Sequence, residues 1–179
     1  MKPAWALIAL LSAALPAAAD PRIRGLRAAV DGNRVLADLT LEGAFDSRLV
    51  ARIESGLPTP ILYRFELSRD RKRWYDRRLA ENTLEATAVY DAVARTYSVH
   101  LRLGDKLIES RTVKDRSALE AAMAHIQGLP IFTLAPTSDQ RRLLIKARAE
   151  LGSRTILSLI PVTLATDWAE SGKFRPPKP

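Results

Sequence analysis

The residues with the most pronounced chemistry stand together in one basic stretch, SRDRKRWYDRR, from Ser68 to Arg78. Six of its eleven residues are lysine or arginine, two are aspartate, and a Trp-Tyr pair lies between them. Arginine binds phosphate and carboxylate groups through paired hydrogen bonds, and an aromatic ring is suited to an interface with one edge in water. The pattern predicts a surface for an anionic partner. The residues assigned to this surface are Arg71, Lys72, Arg73, Trp74, Arg77 and Arg78.

The same stretch also has a purely structural interpretation. A run of charges at the end of a strand forms local ion pairs and protects a sheet edge from aggregation. In that case Trp74 and Tyr75 turn back to cover the core, and the basic residues are simply solvated, as charged residues usually are. The residues by themselves leave both interpretations open.

Residue types that perform acid–base, nucleophilic or metal chemistry are sparse. The chain has two histidines, His100 and His125, and a zinc site needs more ligands than these supply. No serine stands in a G-x-S-x-G frame, and there is no glycine-rich phosphate loop. The carboxylates on predicted polar faces, interpreted as solvated, are Glu42, Asp46, Glu54 and Glu66. We therefore assign no catalytic, cofactor-binding or metal-binding residue, expect no cofactor, and favour a non-enzymatic role.

The amino-terminal residues have the pattern of a cleavable secretory signal. Residues 1–19 contain one lysine, an apolar run from Ala4 to Leu15, and three alanines directly before Asp20. The apolar run is shorter than the ~20 residues that span a bilayer. We expect cleavage after Ala19, export to the periplasm, and a mature chain without a transmembrane span.

Composition narrows the class of partner. The absence of cysteine excludes disulfide bonds, thiol catalysis and a lipid anchor on cysteine, and with the short signal it favours a bacterial envelope protein. Lys2 is the one charged residue of the signal, so the mature chain keeps 27 of 28 basic and all 20 acidic side chains, a net charge of +7. The basic stretch contributes +4 of that excess. Nucleic acid is a common partner of such stretches, but it is not expected outside the cytoplasm. The expected partner is an anionic membrane surface or an envelope protein.

Hydrophobic periodicity predicts the elements that position the basic stretch. Alternating apolar residues predict a hairpin from Arg22 to Glu42 with its turn at Asp31-Gly32-Asn33, and a strand that runs directly into Ser68. A meander of three strands follows over residues 84–113. A short strand after Pro130 and a longer one complete the set. The longer strand has these residues facing inward: Leu143, Ile145, Ala147, Ala149 and Leu151.

Two short helices are predicted between the strands. The first begins at Asp46 or Ser47 and ends at Gly56. Its predicted apolar stripe is Leu49, Ile53 and Leu57. The second begins at Ser117, which has capping-box spacing to Glu120, and ends at Gly128. Its stripe is Leu119, Met123 and Ile126.

These elements predict a mainly β fold, with α+β as the alternative. It is an antiparallel β-sandwich or sheet of about seven to nine strands in hairpin order, with the two helices in its connections. Residues 1–19 are the signal peptide, residues 20–170 form a single globular domain, and residues 171–179 form a flexible proline-rich tail.

Several segments, in order, resemble a family of secreted bacterial proteins whose domain has no assigned activity. The segments are LEGAFDSRLVARIESGLPTPILYRFEL, the cluster Arg73–Arg77, VYDAVARTYSV and SALEAAMAHI, with Asp167-Trp168 matching a tryptophan-containing end. The resemblance implies an exported domain of a family often encoded near nitrogen-regulation-type sensor kinases. It transfers no catalytic residue to this chain.

The residues and the resemblance together favour a periplasmic interaction or accessory domain that uses the basic and aromatic residues to bind an anionic partner. Two alternatives stay open. One is an envelope hydrolase or transferase with a site of distant carboxylates, and the other is a carrier that holds a small apolar ligand inside the sandwich. A cleft with two carboxylates in unequal environments is evidence for the first, and an internal cavity is evidence for the second.

Overall fold

A computed structural model of the chain describes residues 20–70, 77–135, 141–156 and 160–176. The predicted signal peptide, residues 1–19, lies outside these ranges, and so do Arg71, Lys72, Arg73 and Trp74. The elements are β1 Arg22–Asp31, β2 Arg34–Glu42, α1 Ser47–Glu54, β3 Thr59–Arg69, β4 Arg77–Asp91, β5 Thr96–Leu103, β6 Lys106–Val113, α2 Arg116–Ala124, β7 His125–Thr133, β8 Leu143–Ile156, β9 Ile160–Ala165 and β10 Ala169–Glu170.

The strands form two antiparallel sheets. The small sheet has the order β1-β2-β7, and the large, seven-stranded sheet has the order β10-β8-β3-β4-β5-β6, with β9 also paired to β8. The predicted mainly β architecture with two short helices is confirmed. The described strands number ten because the C-terminal residues add β9 and β10, which hydrophobic alternation alone did not indicate.

The first hairpin forms as its sequence predicts. Val30 pairs with Val35 across a turn in which Gly32 has a φ of +58°, a left-handed conformation that glycine adopts without steric cost. Along β2 the alternate residues are buried, and they are Val35, Ala37, Leu39 and Leu41. This alternation turns one face of the small sheet toward the core.

The inner faces of both sheets and the two helices bury one hydrophobic core. Its largest fully buried side chains include Tyr63 and Phe65 on β3 and Met123 on α2. The hydroxyl of Tyr63 donates a hydrogen bond of 2.7 Å to the backbone oxygen of Met123, and burial raises the pKa of this phenol. Tyr63 therefore connects the middle of the large sheet to the last turn of α2.

Helix α1 agrees with its sequence signals except at one position. The carboxylate of Asp46 accepts a hydrogen bond of 2.8 Å from the N–H of Leu49, which is the expected N-cap interaction. Leu49 and Ile53 are buried, but Leu57 is 60% exposed because it follows the helix rather than continuing its stripe. Neither described helix has the length and apolar character that crossing a bilayer requires.

Helix α2 differs from its prediction at both ends. Its N-cap is Asp115, whose carboxylate accepts a hydrogen bond of 2.8 Å from the N–H of Ala118, and Ser117 is an exposed residue inside the first turn. The helix ends at Ala124, four residues before Gly128. His125 and Ile126 already belong to β7 and pair with β2, because the sheet supplies their backbone partners.

The predicted flexible tail is wrong for residues 171–176. The N–H and C=O of Phe174 both bond to Leu143, at 2.8 Å each, and the N–H of Ser171 donates to the oxygen of Ile145 at 2.9 Å. Phe174 also packs against the core. These residues continue the strand edge beside β8 despite their proline and lysine content; residues 177–179 lie outside the described ranges.

Removing the observed cap of α2 tests this corrected helix start. Asp115→Ala should lower the free energy of unfolding by about 1 kcal/mol, because the N–H of Ala118 loses its acceptor. Ser117→Ala is the matched control and should change it by less than about 0.5 kcal/mol. Urea denaturation followed by circular dichroism measures both; a larger loss for Ser117→Ala contradicts the assigned cap.

Candidate anion-binding surface

The basic stretch joins two paired strands of the large sheet. Arg69 at the end of β3 pairs with Arg77 at the start of β4, and Ser68 pairs with Arg78. The residues between Asp70 and Arg77 lie outside the described part of the chain. Residues directly opposite in an antiparallel pair are about 5 Å apart at Cα, so arginines stand close together at this end of the sheet.

A second basic segment reaches the same end through β8. Arg69 pairs with Leu143, the first residue of β8, and Arg141 and Arg142 directly precede it. The N–H of Asp70 donates a hydrogen bond of 2.9 Å to the backbone oxygen of Arg142. Strand pairing therefore places two arginines from the start of β8 beside the β3–β4 hairpin.

A third basic segment arrives from the C-terminal residues. Phe174 forms a bridge with Leu143, and its neighbours Lys173 and Arg175 are exposed. The ammonium of Lys173 lies 2.9 Å from a carboxylate oxygen of Asp70. The C-terminal segment is thus attached to β8 by its backbone and to the end of β3 by an ion pair.

We name the surface formed by these three segments the basic end. Its described cations are Arg69, Arg77, Arg78, Arg141, Arg142, Lys173 and Arg175. All except the half-buried Arg69 are exposed. Neighbouring strands are about 4.8 Å apart, inside the Debye length of about 8 Å at physiological salt, so the fields of cations on adjacent strands add.

Part of this charge is neutralised within the protein. Arg78 contacts Glu66 at 3.3 Å and also pairs with Glu81, and Lys173 pairs with Asp70. The exposed cations of the basic end that make no ion pair within the described ranges are Arg77, Arg142 and Arg175. These three guanidinium groups are the ones available to an external anion.

The outer face of the large sheet is different, because its cations are satisfied internally. Arg64 and Arg148 lie opposite each other on β3 and β8, and each donates a hydrogen bond of 2.7 Å to the same oxygen of Glu150. The guanidinium of Arg148 also lies over the ring of Trp168, 5.1 Å from its centroid. The carboxylate offsets one of the two positive charges, and both guanidinium groups direct hydrogen-bond donors at it rather than at solvent.

Glu150 alternates with the inward-facing residues Ala149 and Leu151 of β8, yet it is only 8% exposed. Its burial tends to raise the pKa of the carboxyl, but hydrogen bonds from Arg64 and Arg148 and their positive charges outweigh burial and hold the pKa below its usual 4.5. Two arginines from adjacent strands therefore explain how a carboxylate stays ionised at a buried position.

The four carboxylates named from sequence all have structural partners. Glu42 pairs with Arg22 and Arg24, Asp46 caps α1, and Glu66 contacts Arg78. Glu54 accepts a hydrogen bond of 2.8 Å from the hydroxyl of Tyr97. Burial, with this bond as a second cause, raises the pKa of Tyr97 to about 12.

The two histidines lie in different sheets. His100 is on β5 of the large sheet, and His125 begins β7 of the small sheet. Among the described residues, no group of three or more histidines and carboxylates is arranged to hold a metal ion.

Two surface depressions lie elsewhere on the described protein. One, of about 410 Å³, is lined partly by Asp20, Arg22, Asp167 and Trp168. The other, of about 390 Å³, is lined partly by Arg27, Asp38, Thr40 and Gln127 of the small sheet. Neither depression is formed by residues of the basic end.

The basic end contains two of the six residues assigned to the anion-binding surface from the sequence, together with cations that were not assigned. The two are Arg77 and Arg78, whereas Arg71, Lys72, Arg73 and Trp74 fall outside the described ranges. The residues that sequence reasoning missed are Arg141, Arg142, Lys173 and Arg175. The sequence shows these cations directly before a predicted strand and in the C-terminal residues. It does not show that strand pairing between distant segments brings them to one end of the sheet.

Fold and site define a two-sheet antiparallel β domain with a cationic end. The chain belongs to the family described as Domain of unknown function (DUF4390), whose model matches residues 18–169. This confirms the resemblance to a family without an assigned activity. The matched region contains the basic stretch and Arg141-Arg142, and Lys173 and Arg175 follow it. Neither a curated protein nor a solved structure matches the chain.

The buried Glu150 predicts a specific pH dependence of stability. Because its pKa is lowered in the folded state, its contribution is present above pH 4.5 and is lost as the pH falls through the folded-state pKa. Glu150→Gln should lower the free energy of unfolding by about 2 kcal/mol at neutral pH and by much less in acid. Urea denaturation at the two pH values measures this.

Glu42→Gln is the matched control for Glu150→Gln. Glu42 is also paired with an arginine, Arg22, at 3.0 Å, but both side chains are exposed, so its replacement should change stability little at either pH. An equal loss for Glu150→Gln at neutral and acid pH would contradict a role for the ionised carboxylate.

Proposed function

We propose that this protein is an exported, periplasmic interaction domain that binds an anionic phospholipid surface through the basic end. The observation that carries the proposal is the convergence of three basic segments, distant in sequence, at one end of the large sheet. An acidic envelope protein is the other class of anionic partner. Vesicle binding distinguishes a phospholipid surface from such a protein.

Charge availability supports this assignment. Each basic side chain near an anionic membrane contributes on the order of 1 kcal/mol. Arg77, Arg142 and Arg175 together therefore supply about 3 kcal/mol, and the remaining cations of the basic end add to that. Binding of this kind is reversible, weakens with added salt, and needs no pocket.

The sequence of the hairpin supports a membrane surface as the partner. Trp74 and Tyr75 stand among the basic residues of SRDRKRWYDRR. Tryptophan and tyrosine are enriched where lipid head groups meet the hydrocarbon region. A basic and aromatic hairpin is thus suited to contact a bilayer without crossing it.

Export is supported by the pattern of residues 1–19 and by the absence of cysteine. The interaction role is favoured over a hydrolase because Glu42, Glu66 and Glu150 hold arginines in ion pairs. It is favoured over an apolar-ligand carrier because the inner faces of the sheets fill their own core with side chains such as Tyr63 and Phe65.

The proposal predicts how the chain from Asp20 to Pro179 cosediments with vesicles. It should bind vesicles that contain anionic phospholipid, bind neutral vesicles much less, and lose binding as salt rises. The triple variant Arg77→Gln, Arg142→Gln, Arg175→Gln should bind anionic vesicles on the order of 100-fold more weakly.

The matched control removes the same charge elsewhere. Arg27, Arg48 and Lys114 are exposed and belong to β1, α1 and the residue after β6. Their replacement by glutamine should leave vesicle binding near that of the parent. Equal losses in the two triple variants contradict a localised site. Absence of binding to anionic vesicles excludes lipid and directs the search to envelope proteins by crosslinking.

A second variant tests the predicted stretch itself. Replacing Arg71, Lys72 and Arg73 by glutamine, with Trp74 unchanged, should weaken binding to a similar degree if these residues act with the rest of the basic end. Binding that is unaffected by this variant assigns the stretch to the purely structural interpretation.

A further inference from the structure

One edge of the large sheet is formed by β6 and has an unusual degree of exposure. β6 pairs with β5, and the sheet order places no described strand on its other side. Six of its eight residues are exposed. An edge of this kind presents a row of unpaired N–H and C=O groups that another strand can complete.

The opposite edge of the same sheet is not equivalent. There the C-terminal segment lies beside β8, and β1 of the small sheet packs close to β8 and β10. The core is therefore covered on that side. The accessible edge of the described sheet is β6, and it also carries two exposed apolar side chains, Leu107 at 52% and Ile108 at 40%.

The charges of β6 are complementary to those of a second copy of β6. Glu109 and Arg111 are two residues apart on one face of the strand, and they pair with each other at 2.7 Å. If two β6 strands pair antiparallel about Ser110, each Glu109 stands opposite Arg111 of the second copy. The two intrachain ion pairs then lie side by side, and the four charges alternate in sign both along and across the strands.

Only one register has this property. Directly opposite residues of two paired strands point to the same face of the sheet, and side chains alternate between the faces along each strand. In a symmetric antiparallel pair that keeps both cores on one face, the two-fold axis therefore passes through a residue and not between two residues. An axis at Glu109 puts two glutamates opposite each other, and an axis at Arg111 puts two arginines opposite each other. The axis at Ser110 is the attractive choice.

We propose that β6 pairs antiparallel with β6 of a second copy of this chain about Ser110, which joins two seven-stranded sheets into one continuous sheet. In this register the regular pairing covers Glu109, Ser110 and Arg111, and the exposed Leu107 and Ile108 lie at the bulge just beyond it, near Thr112 and Val113 of the second copy. The apolar side chains at the edge therefore gain cover. Lys106 and Lys114 lie at the exposed rims of the contact, where salt screens their repulsion.

The same charges make the edge selective. A bulge interrupts the pairing of β6 with β5 between Leu101 and Arg102, so the regular part of β6 is Glu109–Val113. Bulges and charged residues on the core side discourage pairing with an unrelated strand. A second copy supplies the matching charge at both positions, whereas a strand without charges in this order leaves Glu109 or Arg111 unmatched.

Charge exchange tests the pairing. The chain from Asp20 to Pro179 should form a concentration-dependent dimer in sedimentation velocity. Glu109→Arg and Arg111→Glu should each weaken dimerisation on the order of 10-fold or more, because each places like charges opposite each other twice. The double variant, Glu109→Arg with Arg111→Glu, restores opposite charges and should restore the dimer.

A covalent test fixes the register. The chain has no cysteine, so Ser110→Cys introduces a single thiol on the proposed axis, where the paired Cα atoms are about 5 Å apart. Mild oxidation should yield a disulfide-linked dimer. Thr112→Cys is the matched control, because its two copies are about 13 Å apart along the strand and cannot be bridged.

Each result of these experiments either supports the β6 pairing or overturns it. A monomer at every concentration overturns the proposal, and so does a dimer that tolerates both single exchanges. Circular dichroism confirms that each variant is folded, and recovery of the dimer in the double variant separates a charge effect from misfolding. The proposal concerns β6 alone, so loss of vesicle binding in the variants of the basic end leaves it unaffected.

Discussion

The pairing of β8 with β3 organises the rest of this molecule. Leu143 to Glu150 lie alongside Arg69 to Leu62, and the other edge of β8 receives the C-terminal residues up to Phe174. This register buries the alternate residues of both strands in one core. It also brings Arg142 next to Asp70, and it allows Lys173 to form an ion pair with Asp70. The basic end exists because of this one strand alignment.

Charge is distributed over the large sheet in two physically different ways. On the outer face Arg64 and Arg148 share the carboxylate of Glu150, which offsets one of their two positive charges and holds both side chains in place. At the basic end the cations outnumber their carboxylate partners, and Arg77, Arg142 and Arg175 face solvent. The net charge of the whole chain, +8, does not reveal the difference between these two surfaces. The positions of the carboxylates decide where positive charge remains without a partner.

Local signals predicted most of the local structure, although they placed the cap of α2 at Ser117 instead of Asp115, and they failed where a distant strand decided the outcome. Gly32 and its neighbours specified the first hairpin, and Asp46 specified the start of α1. The end of α2 was misplaced because β2 pairs with His125 and Ile126, which no local signal reveals. In the same way the local concentration of charge pointed to Arg77 and Arg78 as surface cations. The position of Arg175 beside them depends on the pairing of Phe174 with Leu143, which the sequence does not show.

The attachment of Phe174 to Leu143 also bears on when this chain can fold. The β3–β8 pairs join residues as far apart as Leu62 and Glu150, and the edge beside β8 is complete only at Phe174. Contacts between residues so distant in sequence form slowly, because a long loop must close first. The nascent chain can form its successive hairpins, but the edge of its central sheet beside β8 is complete only after Phe174 has been added. Until then the backbone N–H and C=O groups along that edge of β8 have no strand partner and are open to water or to another chain.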